Sequence, residues 1–365
     1  MIICIVATKD YNFYNFRRDF IISLVKKGND VFLICPYGSK IDYFTNKGCN
    51  FIDIKIDRRG KNPFNELSIY RSYLRIFKKT RPHLVLTYTT KCSIYAGMAC
   101  SRLKIPYIVN NAGLVKDGLI TNFILCFLYK KAFKKASSIM CQNFEEKIYF
   151  QKILGNKLIF KDIPGSGVDL KEFKLTDYPP ESNDVIFNYV GRISKLKGLD
   201  EFISCAIAIK KDYPQARFVI YGEYDDDRYK SVLGELIEKN IVEYGGVLLD
   251  MKPAIDKAHA VIHSSHYEGM TNVVLEHSAM GRPCIGSNIS GIKEAIDDGV
   301  TGFLFECKNV KQLIEVTRKF IRLPYNQKVE MGLKARLKME QEFNREIVSN
   351  IYWAEIDRIA KNNEK

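Results

Sequence analysis

Apolar and polar positions alternate in two registers along this chain. Near-continuous apolar or β-branched runs cover Ile2–Ala7, Val31–Cys35, Phe51–Ile56, Leu84–Tyr88, Tyr107–Asn110, Ser138–Cys141 and Leu158–Lys161. Their length and composition are those of buried parallel strands. Between them the apolar period lengthens to that of a helix, as over Phe16–Lys27, closed by Gly28, and Asn65–Lys79, closed before Pro82. Strands alternating with helices predict βαβ units on a parallel sheet. The polar stretch Lys174–Asp184, which holds Pro179-Pro180, reads as a linker, and the pattern then restarts. The second set of strands is Val185–Val190, Phe218–Tyr221, Val261–His263, Cys284–Gly286 and Phe303–Phe305. Helices are predicted near Gly198–Lys211, Tyr229–Lys239, Asn272–Met280 and Val310–Arg322. A helical pair follows from Tyr325, and Ile347, Ile351, Ile356 and Ile359 lie mostly on one side of its last member, so that helix should dock. The prediction is an α/β protein of two doubly wound parallel-sheet domains facing each other across a cleft, where ligands of such sheets bind. The domains are drawn at 1–174 and 175–340, with a closing helix at 341–365 that packs back toward the first domain.

Composition narrows the class. With 365 residues, 46% hydrophobic and 27% charged, the chain has enough apolar surface for a folded protein and too much length for one core. The longest clean apolar run, Phe123–Tyr129, is far short of a membrane span, and Met1 leads straight into a strand without a basic leader, so neither a spanning nor a secreted protein is expected. The 10 cysteines include no C-x-x-C pair and sit mostly in apolar runs, which predicts reduced thiols in a cytosol. The net charge of +14 is lopsided: residues 1–174 carry 30 Lys+Arg against 13 Asp+Glu, a balance of +17, and the remainder balances at −3. Such a first half faces a polyanion, either nucleic acid or an anionic membrane.

Candidate chemistry concentrates in the second half. No G-x-G-x-x-G follows the first strand, and neither a G-x-x-x-x-G-K-[ST] loop nor an H-E-x-x-H signature occurs. The richest stretch is His263-Ser-Ser-His-Tyr-Glu268-Gly-Met-Thr-Asn272-Val-Val-Leu-Glu276, which leaves a strand, turns at Glu268-Gly269 and opens a helix near Thr271-Asn272. An Asn or Thr there is a good N-cap, and the first amides of the helix form an anion site. Glu276 follows one turn later on the same face and suits the two hydroxyls of a ribose; Glu268 suits the hydroxyls of a sugar. The spacing equally allows Glu268 as a strand terminator and Glu276 as a solvated helix position. A second stretch, Val190-Gly191-Arg192-Ile-Ser-Lys195-Leu-Lys197-Gly198, puts three cations between a strand and a helix. They would stabilise charge growing on a leaving diphosphate, or they are an ordinary solvated basic loop. His259, His263 and His266 are the only grouping that suggests zinc, and alternation along the strand points His263 away from its neighbours, so no metal is expected.

Together these stretches resemble a known family. Glu268 and Glu276, eight apart, match the E-x7-E element of retaining nucleotide-sugar glycosyltransferases. With Val190-Gly191-Arg192…Lys197-Gly198, Pro164-Gly-Ser-Gly167-Val-Asp169, Gly245-Gly246-Val247, Gly281-Arg-Pro283, Gly291-Ile-Lys-Glu294 and Gly299-Val-Thr-Gly302-Phe303 in order, the chain resembles glycosyltransferase family 4 over nearly its whole length. The resemblance implies the GT-B fold, two Rossmann-like domains, with the first binding acceptor and facing a membrane and the second binding nucleotide sugar. It implies that Arg192 and Lys197 hold the diphosphate, that Glu276 holds the ribose and Glu268 the donor sugar. Gly269, Met270, Thr271 and Asn272 would line the sugar and phosphates, and Gly246 and Val247 the base. No metal or other cofactor is implied. The first half departs from the commonest family pattern, with Thr8–Arg18 in place of a Gly-Gly loop and Thr87-Tyr-Thr-Thr-Lys91 in place of a His-containing turn. Both look like the bacterial subgroup that builds O-antigen, capsule or other glycans on undecaprenyl diphosphate, which makes Asn15, Arg17 and Lys91 acceptor- or phosphate-facing residues. The apolar residues Leu119, Ile120, Phe123, Ile124, Phe127 and Leu128, followed by Lys130, Lys131, Lys134 and Lys135, have the composition of an interfacial helix, as well as that of a core helix before a solvated turn. Arg58, Arg59, Lys61, Arg71 and Arg75 would widen the basic face.

The expected activity is therefore retaining transfer of a hexose or N-acetylhexosamine from a nucleoside diphosphate sugar, with UDP-sugar the first choice, to an undecaprenyl-diphosphate-linked saccharide. It would take place at the inner face of the bacterial cytoplasmic membrane, with the protein peripheral there. The rivals are a nucleotide-sugar 2-epimerase of the same fold and a basic nucleic-acid-binding protein; the second leaves the cleft motifs unexplained, and no nucleic-acid partner is expected.

Overall fold

The computed structural model describes residues 1–57, 62–111, 119–182 and 184–363. Arg58, Arg59 and Lys61 lie outside the described residues, as do the side chains of Leu119 and Ile120. The chain divides into two compact units, residues 1–166 with 348–365, and residues 167–347.

In the first unit, strands β1 (Ile2–Val6), β2 (Asp30–Cys35), β3 (Asn50–Asp53), β4 (Leu84–Tyr88), β5 (Tyr107–Asn110), β6 (Ser138–Cys141) and β7 (Phe160–Asp162) form a parallel sheet ordered β3-β2-β1-β4-β5-β6-β7. The helices around it are α1 (Asp10–Lys26), α2 (Ile41–Thr45), α3 (Pro63–Thr80), α4 (Thr90–Leu103), α5 (Leu119–Phe133) and α6 (Phe144–Leu154). The strands read as unbroken apolar runs because helices cover both faces; β4 is buried at every position. The second unit repeats the plan with β8 (Ile186–Val190), β9 (Arg217–Tyr221), β10 (Glu243–Gly246), β11 (Ala260–His263), β12 (Cys284–Ser287) and β13 (Gly302–Phe305), ordered β10-β9-β8-β11-β12-β13. Its helices are α7 (Leu199–Asp212), α8 (Arg228–Glu238), α9 (Lys252–Lys257), α10 (Asn272–Ala279), α11 (Val310–Arg322) and α12 (Tyr325–Glu342), with a single helical turn at Lys195–Lys197. The closing helix α13 (Arg345–Asn363) begins in the second unit, and its residues from Val348 belong to the first. Both sheets are doubly wound, and their order reverses between β1 and β4 and between β8 and β11.

Three expectations need correction. The predicted strand set omitted β10, because Gly245 and Gly246 are poor strand formers; a Cβ on Gly245 would run into the ring of Tyr221, so the bare backbone is what lets this edge strand lie beside β9. The stretch 174–184 is no free linker but part of the second unit: buried Arg282 donates to the Thr176 and Asp177 carbonyls, and Tyr178 donates to that of His259. On α13 the buried stripe is Val348, Tyr352, Ile356 and Ile359, with Ile347 and Ile351 at its margin. Tyr352 packs on Phe20 and accepts from Asn110 at 2.7 Å.

Candidate functional site

The loops that leave β8 and β11 are neighbours at the reversal point of the second sheet, where ligands of such sheets bind. Gly198 fixes how close they come. Its φ of +72° is left-handed, and a Cβ there would run into the carbonyl of Ser264. Ser264 Oγ donates to the Gly198 carbonyl at 2.7 Å, and the His266 amide donates to the Leu196 carbonyl at 3.0 Å. These bonds seat the turn Lys195–Lys197 against the loop from Ser264 to Glu268. Lys197 Nζ consequently meets Glu268 Oε1 at 2.6 Å. His266 Nε2 lies 2.9 Å from Glu201 Oε1 and ties the same loop to the first turn of α7.

His263, at the end of β11, completes the cluster. Its side chain is buried, and Nε2 lies 3.0 Å from Glu268 Oε1 and 3.1 Å from Thr271 Oγ1. Burial works to raise the pKa of Glu268, but the hydrogen bond from His263 and the Lys197 ammonium outweigh it and hold the carboxyl down to about 2. An ionised carboxylate only accepts, so Nε2 carries the proton that faces both oxygens. On the other side of the loop the Thr271 amide donates to the Gly291 carbonyl at 3.1 Å. Gly291, at φ +89°, has no room for a Cβ beneath the Gly269 carbonyl, and Glu294 accepts from its amide at 2.7 Å.

Glu276 lies one turn into α10 and has the opposite character. Burial pushes its carboxyl up to about 7; Arg345 and Lys252 pull it down, and Glu172 adds to the rise. The segment after β11 thus carries two carboxyls set apart by their surroundings, Glu268 with Lys197 and His263 and Glu276 with Arg345, Lys252 and Glu172. One is fixed as an anion beside a cation, and the other is poised near neutrality. Hydroxyl donors suit both, and an anionic ligand suits Lys197 and the start of α10.

Comparison with known proteins decides the family. Residues 171–338 match the family model of glycosyl transferases group 1, and residues 2–143 match that of glycosyl transferase 4-like domains. The chain belongs to glycosyltransferase family 4. A curated relative of this family 4 enzyme is the N,N′-diacetylbacillosaminyl-diphospho-undecaprenol α-1,3-N-acetylgalactosaminyltransferase of Campylobacter jejuni, 25% identical over 96% of both chains. Another is the UDP-Gal:α-D-GlcNAc-diphosphoundecaprenol α-1,3-galactosyltransferase of Escherichia coli, 23% identical over 78% of both. Among solved structures, a glycosyltransferase from Rickettsia africae superposes with a TM-score of 0.81 over 99% of both chains at 18% identity, which establishes the GT-B fold.

Within this glycosyltransferase the remaining expected site residues fall in varied settings. Arg192 is 47% exposed and pairs with Asp225 at 2.6 Å. A short parallel bridge between Ile193 and Tyr224 zips the loops after β8 and β9 together and sets that pair. Gly246 has a left-handed backbone at φ +78°, Val247 after it is exposed, and Met270 and Asn272 are partly buried beside Thr271. In the first unit Asn15 is exposed on α1, and Lys91 in the first turn of α4 donates to Glu66 at 2.6 Å and to the Asp57 carbonyl at 2.7 Å. Arg17, expected to face a phosphate, is 4% exposed. Its guanidinium lies over the rings of Tyr88 and Tyr352 and donates to the Phe16 and Ser166 carbonyls, which is a structural post. Sequence reading missed Asp225, Glu201 and the part played by His263, which it weighed only for zinc. Only the fold brings their partners within reach.

Proposed function

We propose that this glycosyltransferase retains configuration at the anomeric carbon and moves a hexose or N-acetylhexosamine from a UDP-sugar to an undecaprenyl-diphosphate-linked saccharide during bacterial surface-glycan synthesis. The observation that carries the donor half is the Lys197–Glu268 pair at 2.6 Å beside the start of α10, with Glu276 one turn on. In this reading Glu276 accepts from the ribose hydroxyls and Glu268 from the donor sugar. Lys197 and Arg192 face the diphosphate, while Gly246 and Val247 flank the base. The backbone of Gly269, Met270, Thr271 and Asn272 lies near the sugar and phosphates, with the Thr271 amide itself held by the Gly291 carbonyl. As the glycosidic bond breaks, positive charge grows on the ring and negative charge on the leaving diphosphate. Lys197 and Arg192 take the counter-ion role, so the reaction needs no metal. The acceptor half is supported by the names of the relatives, two of which act on diphospho-undecaprenol-linked sugars.

The same reading sets the protein at the cytoplasmic face of the membrane as a peripheral enzyme. Among the described residues no helix is long and apolar enough to cross a membrane. Yet α5 exposes Phe123 at 78%, together with Ile124 and Phe127, ahead of exposed Lys130, Lys131, Lys134 and Lys135. Apolar side chains flanked by cations suit an anionic lipid surface. In α6, which packs Tyr149 and Phe150 on Tyr129, Phe144 and Ile148 are also exposed. Asn15 and Lys91 then face acceptor or its phosphate.

The test is a thermal-shift screen of nucleotide sugars followed by transfer to lipid-linked acceptors with the best stabiliser. Wild type should form an α-linked product from an α-linked donor, and Lys197→Ala or Glu276→Ala should lower turnover at least a hundredfold while the fold persists. Undiminished transfer by the folded double variant, or conversion of the UDP-sugar into an epimer without acceptor, overturns the assignment.

A further inference from the structure

Thr271 occupies the residue that opens α10, and its backbone has the extended conformation (φ −85°, ψ 112°) that a capping residue uses. A threonine in that setting ordinarily turns its hydroxyl back onto an amide of the first turn. Here it makes no side-chain cap. Its Oγ1 is 3.1 Å from His263 Nε2 instead, the same nitrogen that lies 3.0 Å from Glu268 Oε1. By contrast, the asparagines that open α3, α6 and α11 all cap their helices with the side chain. His263 and Thr271 are both buried.

We propose that His263 is a positioning residue of the donor site, one that draws the Thr271 hydroxyl off the start of α10 and with the same proton orients Glu268. The inference rests on the reading above that donor phosphate lies at the start of α10. In physical terms the helix would gain stability from a capped first turn, on the order of 1 kcal/mol. The cap would also occupy the amide of Val273 or Val274, first-turn donors left without a carbonyl partner in the helix and so open to a phosphate at its start. A buried imidazole with one proton facing two oxygens makes the competing arrangement the better one for Thr271. The amides are thereby kept for the ligand, and the carboxylate that meets the sugar is held in register with them.

The experiment is a double-variant cycle read by calorimetric titration with UDP. His263→Leu should weaken UDP about tenfold, because the released hydroxyl caps the helix. Thr271→Val, added to His263→Leu, removes that hydroxyl and should restore affinity to within about threefold of Thr271→Val alone. Sugar transfer should stay low in the double variant, because Glu268 keeps Lys197 but still lacks the hydrogen bond from His263 that orients it. A residue that merely filled space would not be rescued by a second deletion next to it. If Thr271→Val leaves the His263→Leu affinity unchanged or weakens it further, the proposal is overturned. Should Leu at this position prevent folding, His263→Asn, too short to reach the hydroxyl, takes its place in the cycle. Failure of the donor-site reading has a different signature: neither wild type nor Thr271→Val binds UDP. The His263 proposal is then decided by the crystal structure of His263→Leu, where a Thr271 hydroxyl on a first-turn amide supports it and an unmoved hydroxyl overturns it.

Discussion

Glu276 and Glu268 are the same residue type eight positions apart, yet their surroundings drive them in opposite directions. Burial raises the Glu276 carboxyl from 4.5 to about 7, so in the folded protein it holds its proton more tightly than in the unfolded chain. The sign follows directly. The stability that proton contributes is complete below about pH 4.5 and is lost as pH rises through about 7, above which the fold carries a buried charge. The full shift corresponds to about 3 kcal/mol, and partial solvent access to this side chain reduces that to about 1–2 kcal/mol. Glu276→Gln should therefore raise the melting temperature at pH 8 and leave it nearly unchanged at pH 5. A carboxylate accepts from two ribose hydroxyls and an amide oxygen does so less well, so the advantage of wild type over Glu276→Gln in UDP affinity should widen from pH 6 to pH 8. Equal stabilisation at both pH values would mean that Glu276 ionises freely in the fold. At this scale the sequence was informative about identity and silent about partnership. The two glutamates and Lys197 stood out through spacing, whereas His263, Asp225 and Glu201 act on residues 5, 33 and 65 positions away, which no local pattern reveals.

Elements matter here through the contacts that set their ends. Gly198 lies under the Ser264 carbonyl and Gly291 lies against that of Gly269, and both are left-handed, so a side chain at either meets backbone that cannot yield by changing a rotamer. Gly198→Ala should cost about 3 kcal/mol or more from strain and clash together. It should also push the turn Lys195–Lys197 off the loop after β11 and lengthen the contact between Lys197 and Glu268. Urea unfolding measures the first effect, and loss of UDP affinity in the protein that remains folded measures the second. A stability within 1 kcal/mol of wild type would mean that the two loops are not pressed together. The same reasoning explains which elements were legible. Strands β4, β5 and β6 are short apolar runs buried on both faces, and their predicted and observed limits coincide. Strand β10 escaped because its backbone, bare at Gly245, lies on the ring of Tyr221. Helix α1 starts at Asp10, six residues before the apolar period becomes visible at Phe16. Its start is fixed by the Asp10 carboxylate, which accepts from the amides of Tyr11 and Lys40, a contact with a distant loop.

For the molecule as a whole, the unequal charge of its two halves is the property that most needs a purpose. A balance of +17 over residues 1–174 is sequence-wide information, and it pointed to a polyanion without choosing between nucleic acid and lipid. What separates these partners is where the apolar residues sit. Nucleic acid calls for cations and stacking platforms, whereas a bilayer calls for cations beside aliphatic and aromatic side chains that can leave water. On α5, Phe123 and Phe127 are one helical turn apart and both exposed, with exposed lysines at the C-terminal end of the same helix. Inserting two phenylalanines gains about 3–5 kcal/mol, and each nearby lysine adds about 1 kcal/mol at an anionic surface. The phenylalanine contribution is independent of salt, and the lysine contribution falls with the Debye length. Co-sedimentation with phosphatidylglycerol vesicles should resolve the two. Phe123→Asp with Phe127→Asp should lower binding more than a hundredfold at any ionic strength. Replacing Lys130, Lys131, Lys134 and Lys135 by Gln should lower it strongly in dilute buffer and little at high salt. Transfer to a water-soluble acceptor analogue should survive the phenylalanine changes, because neither residue belongs to the donor site, while transfer to vesicle-borne acceptor should fall with binding. If the double Asp variant sediments with vesicles as well as wild type does, α5 is not the membrane contact. Binding of the unaltered protein to RNA in preference to these vesicles would assign the positive half to the other polyanion.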